Sequence, residues 1–206
     1  MFGPKIQKQA RSFAEKIIRP ISHLGITPNM VSGIGMLLNV VAAIELAFGP
    51  LRIGGALILF AGVFDMFDGA MARVQQQTSL FGAFLDSTLD RYAEGAVLLG
   101  VIVHITLFEH AGSSALLLII LAYSSALLSL IVSYTRARAE GLGLDCKVGL
   151  MERPERVLLL GAGLLIGADS WLVWVLLVLA AATAFTGLQR IAHVYRQSVG
   201  KRPSGQ

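Results

Sequence analysis

The sequence has few charged residues and almost no cysteine. Only 15% of its 206 residues are Asp, Glu, Lys or Arg, 55% are hydrophobic, and the mean hydropathy is +0.70. This composition excludes an ordinary soluble domain, in which about 25% of residues are charged, and predicts an integral membrane protein. One cysteine, Cys146, excludes an intramolecular disulfide, and we interpret it as an incidental loop thiol. No repeat or low-complexity tract is found, and we expect one domain over residues 1–206.

Apolar runs of about the length that crosses a bilayer recur along the chain, separated by short polar or glycine-rich breaks. They predict an all-α integral membrane protein with six transmembrane helices in a core over residues 31–194. The fifth run is short. The predicted spans are Val31 to Phe48, Ile53 to Met71, Leu80 to Phe108, Ser114 to Tyr134, Val157 to Gly167 with a few flanking residues, and Trp171 to Val194.

The first 22 residues lack the continuous apolar core of a secretory signal peptide. Their apolar side chains recur at spacings of three or four, with basic and polar side chains on the other face. This pattern predicts an amphipathic interfacial helix over residues 1–22, lying on the cytoplasmic membrane surface. Thr27 and Pro28 then predict the cap and first turn of the next helix. The apolar positions of the interfacial helix are Ile6, Ala10, Phe13, Ile17 and Ile21.

The lysines and arginines lie almost entirely on one side of the predicted spans. On the other side, Arg52 is the only basic residue in a loop. Because short cytoplasmic loops retain basic residues, we expect a multi-pass protein of the cell membrane with both termini in the cytoplasm. The net charge of +4 then faces anionic membrane lipids, so no nucleic-acid partner is needed to explain it.

Four aspartates lie in the second and third predicted spans, where carboxylates are costly. Asp65 and Asp68 are three residues apart, and Asp86 and Asp90 are four apart, so each pair lines one helix face. In a helical hairpin that turns near residue 77, all four reach one level, roughly 13 to 20 Å from the turn. Their mutual repulsion predicts a hard divalent cation, Mg²⁺ or Mn²⁺, and four carboxylates can hold two such ions.

Small and polar residues flank these carboxylates. Gly69 and Gly82 leave room for a phosphate-bearing substrate to approach. Arg73 and Ser79 are placed to donate hydrogen bonds to a diphosphate. The surroundings of the acidic cluster therefore predict a site for phosphoryl transfer at the cytoplasmic side of the membrane.

Eight residues around this cluster follow the pattern D-x-x-D-G-x-x-A-R-x(8)-G-x-x-x-D-x-x-x-D, which resembles the signature of the CDP-alcohol phosphotransferases. The resemblance extends to the six spans, the N-terminal helix and the "TPN" segment before the first span. The eight residues are Asp65, Asp68, Gly69, Ala72, Arg73, Gly82, Asp86 and Asp90.

The resemblance implies an enzyme that moves a lipid-bearing phosphate group from a CDP-linked donor to an alcohol and releases CMP. It implies metal binding by Asp65, Asp68 and Asp86, and either metal binding or general-base catalysis by Asp90. The family also suggests a homodimer and CDP-diacylglycerol as the donor. The donor site would comprise Asp68, Gly69, Ala72, Arg73 and Gly82, with Ser79 beside them.

Five further arginines lie in the segments "SYTRARAE", "MERPERV" and "LQRIAHV": Arg136, Arg138, Arg153, Arg156 and Arg190. Converging guanidinium groups suit a phosphorylated acceptor, although the preference for basic cytoplasmic loops would retain individual arginines without a ligand. The first two segments resemble the acceptor-phosphate pocket of phosphatidylinositol-phosphate synthases, except that Arg136 stands where lysine is common. We expect inositol 1-phosphate as the acceptor, with glycerol 3-phosphate, the acceptor of a phosphatidylglycerophosphate synthase, as the alternative.

Other interpretations of the acidic residues remain open. A cation transporter would use them as an ion site, but it explains neither the glycines nor Arg73. A noncatalytic scaffold would be expected to lack at least one aspartate. The purely structural alternative is an ion-pair network with Arg73 and Arg91. Glu94, one turn beyond Asp90, fits a helix-packing partner as well as a participant in the chemistry.

Overall fold

The computed structural model describes residues 12–20, 26–75, 79–109 and 112–200, without the side chains of residues 68, 168–170 and 200. In these ranges the chain is helical and contains no strand, which confirms the all-α class. Five of the described helices are long and apolar enough to cross a membrane, in agreement with a multi-pass membrane protein. The helices are α1 at 12–18, α2 at Pro28–Phe48, α3 at Leu51–Val74, α4 at Leu80–Phe108, α5 at Ser113–Gly141 and α6 at Arg153–Gly200.

Local sequence explains where the helices begin and end. Thr27 Oγ1 accepts a hydrogen bond from Met30 N at 3.3 Å, and Pro28 is the first residue of α2, as predicted. Helix α5 continues to Gly141, well beyond the predicted end of the fourth span, because Arg, Ala and Glu in its last turns are good helix formers. Gly143, with a φ of +72°, follows that end in the left-handed conformation.

Helix α6 is the longest element, and it folds back on itself. A methyl group on Gly163 would lie 2.5 Å from Val175 Cγ2, whereas a straight helix would separate residues that far apart in sequence by about 18 Å. Met151 N, just before α6, also donates to Thr186 Oγ1 at 2.9 Å. The chain therefore reverses between Gly163 and Val175, and the two arms run antiparallel. The first arm is 153–167, and the second arm is Trp171–Val199. Of these two arms, the second is among the five candidate spans found in the described residues.

The five long helices pack as a closed ring in the order α2, α3, α6, α5 and α4, with α4 returning to α2. The main hydrophobic cluster fills one half of this ring, within residues 42–58, 97–109, 112–122 and 160–179. We call this part the apolar half. The other part, residues 26–39, 65–75, 79–94, 132–156 and 183–197, carries most of the buried charge of the described residues and is called the polar half.

The second and third predicted spans, α3 and α4, share no extensive contact in the described residues. In the described residues, α2 packs extensively against both α3 and α4, and the other extensive neighbour of α3 is α6. Two helices lined by carboxylates repel each other unless a cation lies between them. The acidic faces of α3 and α4 therefore meet across a cavity and not in a tight helix contact.

Helix α1 packs on the polar half. Ala14 and Ile18 are buried against the start of α2 and the last turns of α3. Phe13 and Ile17, two of the predicted apolar positions, are exposed on the protein surface, where the side chains of an interfacial helix contact lipid. Residues 1–11 and 21–25 of the predicted interfacial helix and loop lie outside the described residues.

Candidate active site

Three of the four predicted acidic ligands line one cavity in the polar half. Asp65 comes from α3, and Asp86 and Asp90 come from α4. Arg153, the first residue of α6, lines the same cavity. The helical spacing therefore brings carboxylates of both helices to one level, as expected. Asp68 lies three residues beyond Asp65 on α3, and its side chain is outside the described part of the chain.

Arg153 connects the acidic faces of α3 and α4. Its Nη2 atom lies 2.7 Å from Asp65 Oδ2 and 2.9 Å from Asp90 Oδ1. The structural alternative with other arginines holds only in part, because Arg91 Nη1 is 3.7 Å from Asp90 Oδ2 and Arg73 pairs elsewhere. The three bridged side chains are about one-fifth exposed, so water screens these ion pairs less than it would at an open surface.

The carboxylates fit a hard divalent cation by the chemistry of their donor atoms. Oxygen ligands of this kind suit Mg²⁺ and Mn²⁺, and the cavity gathers three such groups. Among the side chains that the structure describes, no three acidic, histidine or cysteine groups are arranged to hold an ion. The guanidinium group of Arg153 lies between Asp65 and Asp90 and neutralises them in this arrangement.

Gly35 of α2 belongs to this site, although the sequence analysis did not identify it. A Cβ atom on Gly35 would lie 2.7 Å from Asp65 Oδ1, so glycine permits the carboxylate to approach α2 closely. Asn39, one turn further, donates to Gly35 O at 2.9 Å and lines the same cavity. The available signal was the run of small residues "VSGIG", since small residues in membrane helices mark close approaches.

The predicted donor-site residues lie around the adjacent ends of α3 and α4. Ser79 caps α4 by accepting a hydrogen bond from Gly82 N at 2.9 Å. A Cβ atom on Gly82 would lie 3.2 Å from Asn29 Oδ1, which places the "TPN" segment beside this turn. Gly69 lies before the last turn of α3, and Ala72 lies in that turn. Nucleotide binding by these residues stays a prediction.

Arg73 has a partner that was not predicted. Its Nε atom donates to Glu15 Oε1 of α1 at 2.8 Å, and both side chains are about 40% exposed. The N-terminal segment therefore contacts an arginine of the family motif. Sequence reasoning missed Glu15 because the two residues are far apart in the chain.

The five predicted acceptor arginines occupy different environments. Arg153 faces the carboxylates of the cavity. Arg136 pairs with Glu140 on α5 at 2.9 Å, and Arg138 is exposed in the last turn of that helix. Arg156 and Arg190 are buried, each with only 3% exposure. The structure therefore does not gather all five guanidinium groups at one point, and phosphate binding by them stays a prediction.

Arg156 is held by protein acceptors. It donates from Nε to Glu94 Oε1 at 2.6 Å and from Nη2 to Glu94 Oε2 at 3.0 Å. Its Nη1 atom donates to Met151 O at 3.2 Å. Glu94 is thus a helix-packing partner, one of the two roles that its sequence position allowed.

Arg190 anchors the loop at 142–152. Its Nε atom donates to Val148 O at 2.9 Å, and its Nη1 atom donates to Val132 O of α5. Leu150 N donates to the Gln189 side chain at 3.1 Å, next to these contacts. Side chains of the second arm of α6 therefore hold the loop that leads to Arg153.

Cys146 lies in the same loop and is buried. Burial raises the pKa of its thiol, so less thiolate forms at neutral pH. This environment agrees with an incidental loop thiol and does not suggest a nucleophile.

Residues 25–186 of the chain match the family model for CDP-alcohol phosphatidyltransferase. The chain is 37% identical to archaetidylinositol phosphate synthase of Methanothermobacter thermautotrophicus, over 95% of this chain and 93% of that protein. It is 36% identical to phosphatidylinositol phosphate synthase of Mycobacteroides abscessus, over 93% and 89% of the two chains.

The fold is also similar to that of phosphatidylinositol phosphate synthase from Mycobacterium tuberculosis. The crystal structure of that protein with CDP-DAG bound superposes with a TM-score of 0.82 and 31% identity, covering 93% of this chain and 98% of that chain. A second structure, in complex with manganese and citrate, gives the same TM-score and identity and covers 93% of each chain. The protein therefore belongs to the CDP-alcohol phosphatidyltransferase family.

Proposed function

We propose that this transferase moves the phosphatidyl group of CDP-diacylglycerol to a hydroxyl group of inositol 1-phosphate, forming phosphatidylinositol phosphate and CMP. The observation that carries the proposal is the position of Arg153 between Asp65 and Asp90. A guanidinium group there is placed to bind the phosphate of an acceptor directly beside the carboxylates of the family motif. The relatives named as inositol phosphate synthases support this choice of acceptor over glycerol 3-phosphate.

The donor is assigned from the relatives and from the membrane setting. The M. tuberculosis structure contains CDP-DAG, and the exposed apolar faces of the helices suit contact with acyl chains. The names of the two relatives specify different lipid groups, archaetidyl in one and phosphatidyl in the other. Both names contain inositol phosphate. We therefore assign the acceptor and the CDP-linked head group to the polar half, and the lipid chains to the bilayer.

The polar half supplies groups for each part of the reaction. Asp90 would accept the proton of the acceptor hydroxyl group. The oxygen of that hydroxyl group would attack the β-phosphorus of the donor. The new oxygen–phosphorus bond forms as the bond from that phosphorus to CMP breaks, and CMP leaves as an anion. Arg153 would orient the acceptor phosphate, with Arg136 and Arg138 supplying further positive charge. No covalent enzyme intermediate is required.

The residues that would hold divalent cations are Asp65, Asp68, Asp86 and Asp90, and we predict two Mg²⁺ or Mn²⁺ ions. When bound, such ions neutralise charge on the diphosphate of the donor and on the leaving CMP. The relative crystallised with manganese supports a divalent cation in this family. Arg73, Gly69, Ala72, Ser79 and Gly82 would bind the cytidine diphosphate.

We also propose the membrane arrangement. The first arm of α6 would complete a sixth crossing, because it runs antiparallel to the second arm within the ring. Both termini and the polar half would then face the cytoplasm of a multi-pass cell-membrane protein, with α1 at the lipid interface. The homodimer implied by the family remains a prediction.

The experiment is CMP release by purified protein with CDP-diacylglycerol and Mg²⁺. The acceptors compared are inositol 1-phosphate, glycerol 3-phosphate, free inositol and serine. The same assay is carried out with the variant Asp90→Asn. Asp145→Asn, the same substitution at an exposed position of the 142–152 loop, is its control.

We expect CMP release with inositol 1-phosphate and none with free inositol or serine. CMP release with glycerol 3-phosphate alone would show that glycerol 3-phosphate, and not inositol 1-phosphate, is the acceptor. It would support a phosphatidylglycerophosphate synthase. Release that requires no phosphate on the acceptor would overturn the role of Arg153. No release with any acceptor, together with cation uptake into proteoliposomes, would favour a transporter.

A further inference from the structure

Two ion pairs connect α4 and α6 on successive helical turns. Asp90 and Glu94 are four residues apart on α4, and Arg153 and Arg156 are three apart on α6. Arg153 lies 2.9 Å from Asp90, and Arg156 lies 2.6 Å from Glu94. Since both spacings correspond to about one turn, the pairs form parallel bridges between the same two helices.

The two bridges differ in burial. Arg153 and Asp90 face the cavity and are 20% and 19% exposed. Arg156 and Glu94 are 3% and 12% exposed and line an adjoining cavity, which Arg153 and Asn39 also line. The first bridge is therefore more accessible to a substrate than the second.

The Arg156–Glu94 bridge is also the more restrictive in geometry. Two parallel hydrogen bonds join the guanidinium group to both carboxylate oxygens, which fixes the relative angle of the groups as well as their distance. The third bond, to Met151 O, ties the loop immediately before Arg153 to the same guanidinium group. In the chain, Arg153 thus lies between Met151, which Arg156 holds, and Arg156 itself.

Stability alone does not explain such a pair. Replacing a buried ion pair by apolar residues of similar volume is often neutral or stabilising, because charges are costly to remove from water. The best-attested benefit of a buried ion pair is the specification of register between elements. Here α4 and α6 share no extensive helix contact in the described residues, so the ion pairs between them set the register at which Arg153 faces Asp90.

We infer that Glu94 and Arg156 are positioning residues that fix the register of α6 relative to α4 across the interior of the ring and so hold Arg153 beside Asp90 and Asp65. This inference rests on the proposed function, in which Arg153 binds the acceptor phosphate. Neither Glu94 nor Arg156 then touches substrate. Their loss affects the acceptor more than the donor, because the predicted donor residues lie on α3 and at the start of α4.

The test uses the double variant Glu94→Leu/Arg156→Met, which replaces the pair by apolar side chains of similar length. The variant removes both charges at once, so neither is left buried without a partner. Leu98→Met, one turn further along α4 and fully buried, is the control for a perturbation of the same helix. The readouts are kcat, the KM for inositol 1-phosphate, the KM for CDP-diacylglycerol, Tm, and hydrogen exchange of residues 150–157.

We expect the double variant to keep a Tm close to that of the wild type. The KM for inositol 1-phosphate should rise about 10- to 100-fold, since a displacement of about 1 Å is enough for such losses, while the KM for CDP-diacylglycerol stays unchanged. Hydrogen exchange at 150–157 should become faster in the double variant and not in Leu98→Met. An unchanged acceptor KM, or an equal rise of both KM values, would overturn the inference.

A second variant covers the case in which the double variant does not fold. Glu94→Asp keeps the charge and shortens the side chain by one methylene group, so it should raise the acceptor KM by a smaller factor with Tm preserved. A wild-type acceptor KM in Glu94→Asp, with unchanged exchange at 150–157, would equally overturn the inference. If the wild type accepts no phosphorylated polyol, the proposed function fails, while faster exchange in the double variant would still support the register role.

Discussion

The apolar half and the polar half of the ring are built from the same helices but are held together by different interactions. In the apolar half, Leu46, Leu98 and Leu176 are fully buried in the main hydrophobic cluster. A Cβ atom on Gly55 would lie 2.7 Å from Gly161 O, so α3 and the first arm of α6 approach closely there. In the polar half, arginine side chains span the gaps between the same helices.

This difference places the residues that stabilise the fold at one end of the helices and the residues proposed for the chemistry at the other end. Close packing closes the ring at one end, because small residues and branched side chains leave little space. At the other end α3 and α4 are spaced apart, and a cavity lined by three carboxylates and Arg153 lies between them. A substitution in one half should therefore change stability, and a substitution in the other half should change activity.

The largest effect is expected for Asp90→Asn. The substitution keeps the size of the side chain and removes both a proton acceptor and a negative charge, so transfer should fall by about 10³-fold with little change of Tm. CMP release and thermal unfolding measure the two quantities. Robust Mg²⁺-dependent CMP release by this variant would refute the role of Asp90 and blur the distinction between the halves.

Leu176→Ala should produce the converse result. Truncating a fully buried side chain in the apolar half should cost about 2 to 5 kcal/mol and lower Tm by about 4 to 20 °C, with kcat close to that of the wild type. Leu177→Ala, at the neighbouring exposed position, is the matched control and should leave Tm nearly unchanged. A large fall in kcat at temperatures where the variant is folded would show that the two halves are coupled.

Gly35→Ala tests how precisely Asp65 is positioned in the polar half, where α2 borders the cavity. The added methyl group would lie 2.7 Å from Asp65 Oδ1, so the carboxylate must move, and we expect kcat/KM to fall about tenfold with Tm preserved. Gly33→Ala on the same helix meets no atom within 4 Å and serves as the control. Equal kinetics of the two variants would argue against a precise position of Asp65.

Glu15→Gln should have the smallest effect. The Glu15–Arg73 pair is partly exposed, and pairs of this kind contribute less than about 1 kcal/mol. We expect Tm to be nearly unchanged and the KM for CDP-diacylglycerol to fall by no more than about fivefold, because Arg73 would no longer be shared with Glu15. Lys16→Gln is the neighbouring control. A loss of all activity would instead assign α1 an essential part in the site.

The sequence predicted those features of the site that depend on helical periodicity. The spacing of Asp65, Asp86 and Asp90 was enough to bring them to one level, because residues three or four apart share a helix face. Contacts between distant parts of the chain were not predictable in this way. Arg153 is 88 residues from Asp65, and nothing in the local pattern shows that it lies between the carboxylates.

The same limit explains the other differences. Glu94 could not be assigned from its own helix because its partner, Arg156, is 62 residues away. The order of helices in the ring does not follow their order in the chain, so local sequence patterns could not show which helices are neighbours.

The central claim is that Arg153 binds the acceptor phosphate beside the carboxylates of the motif. The measurement that tests it most directly is the KM for inositol 1-phosphate of Arg153→Gln at saturating CDP-diacylglycerol. Arg52→Gln, which removes the same charge at the other end of α3, is the control. We predict a rise of at least about tenfold for Arg153→Gln, with the donor KM unchanged and Arg52→Gln like the wild type. An acceptor KM equal to that of the wild type would contradict the account.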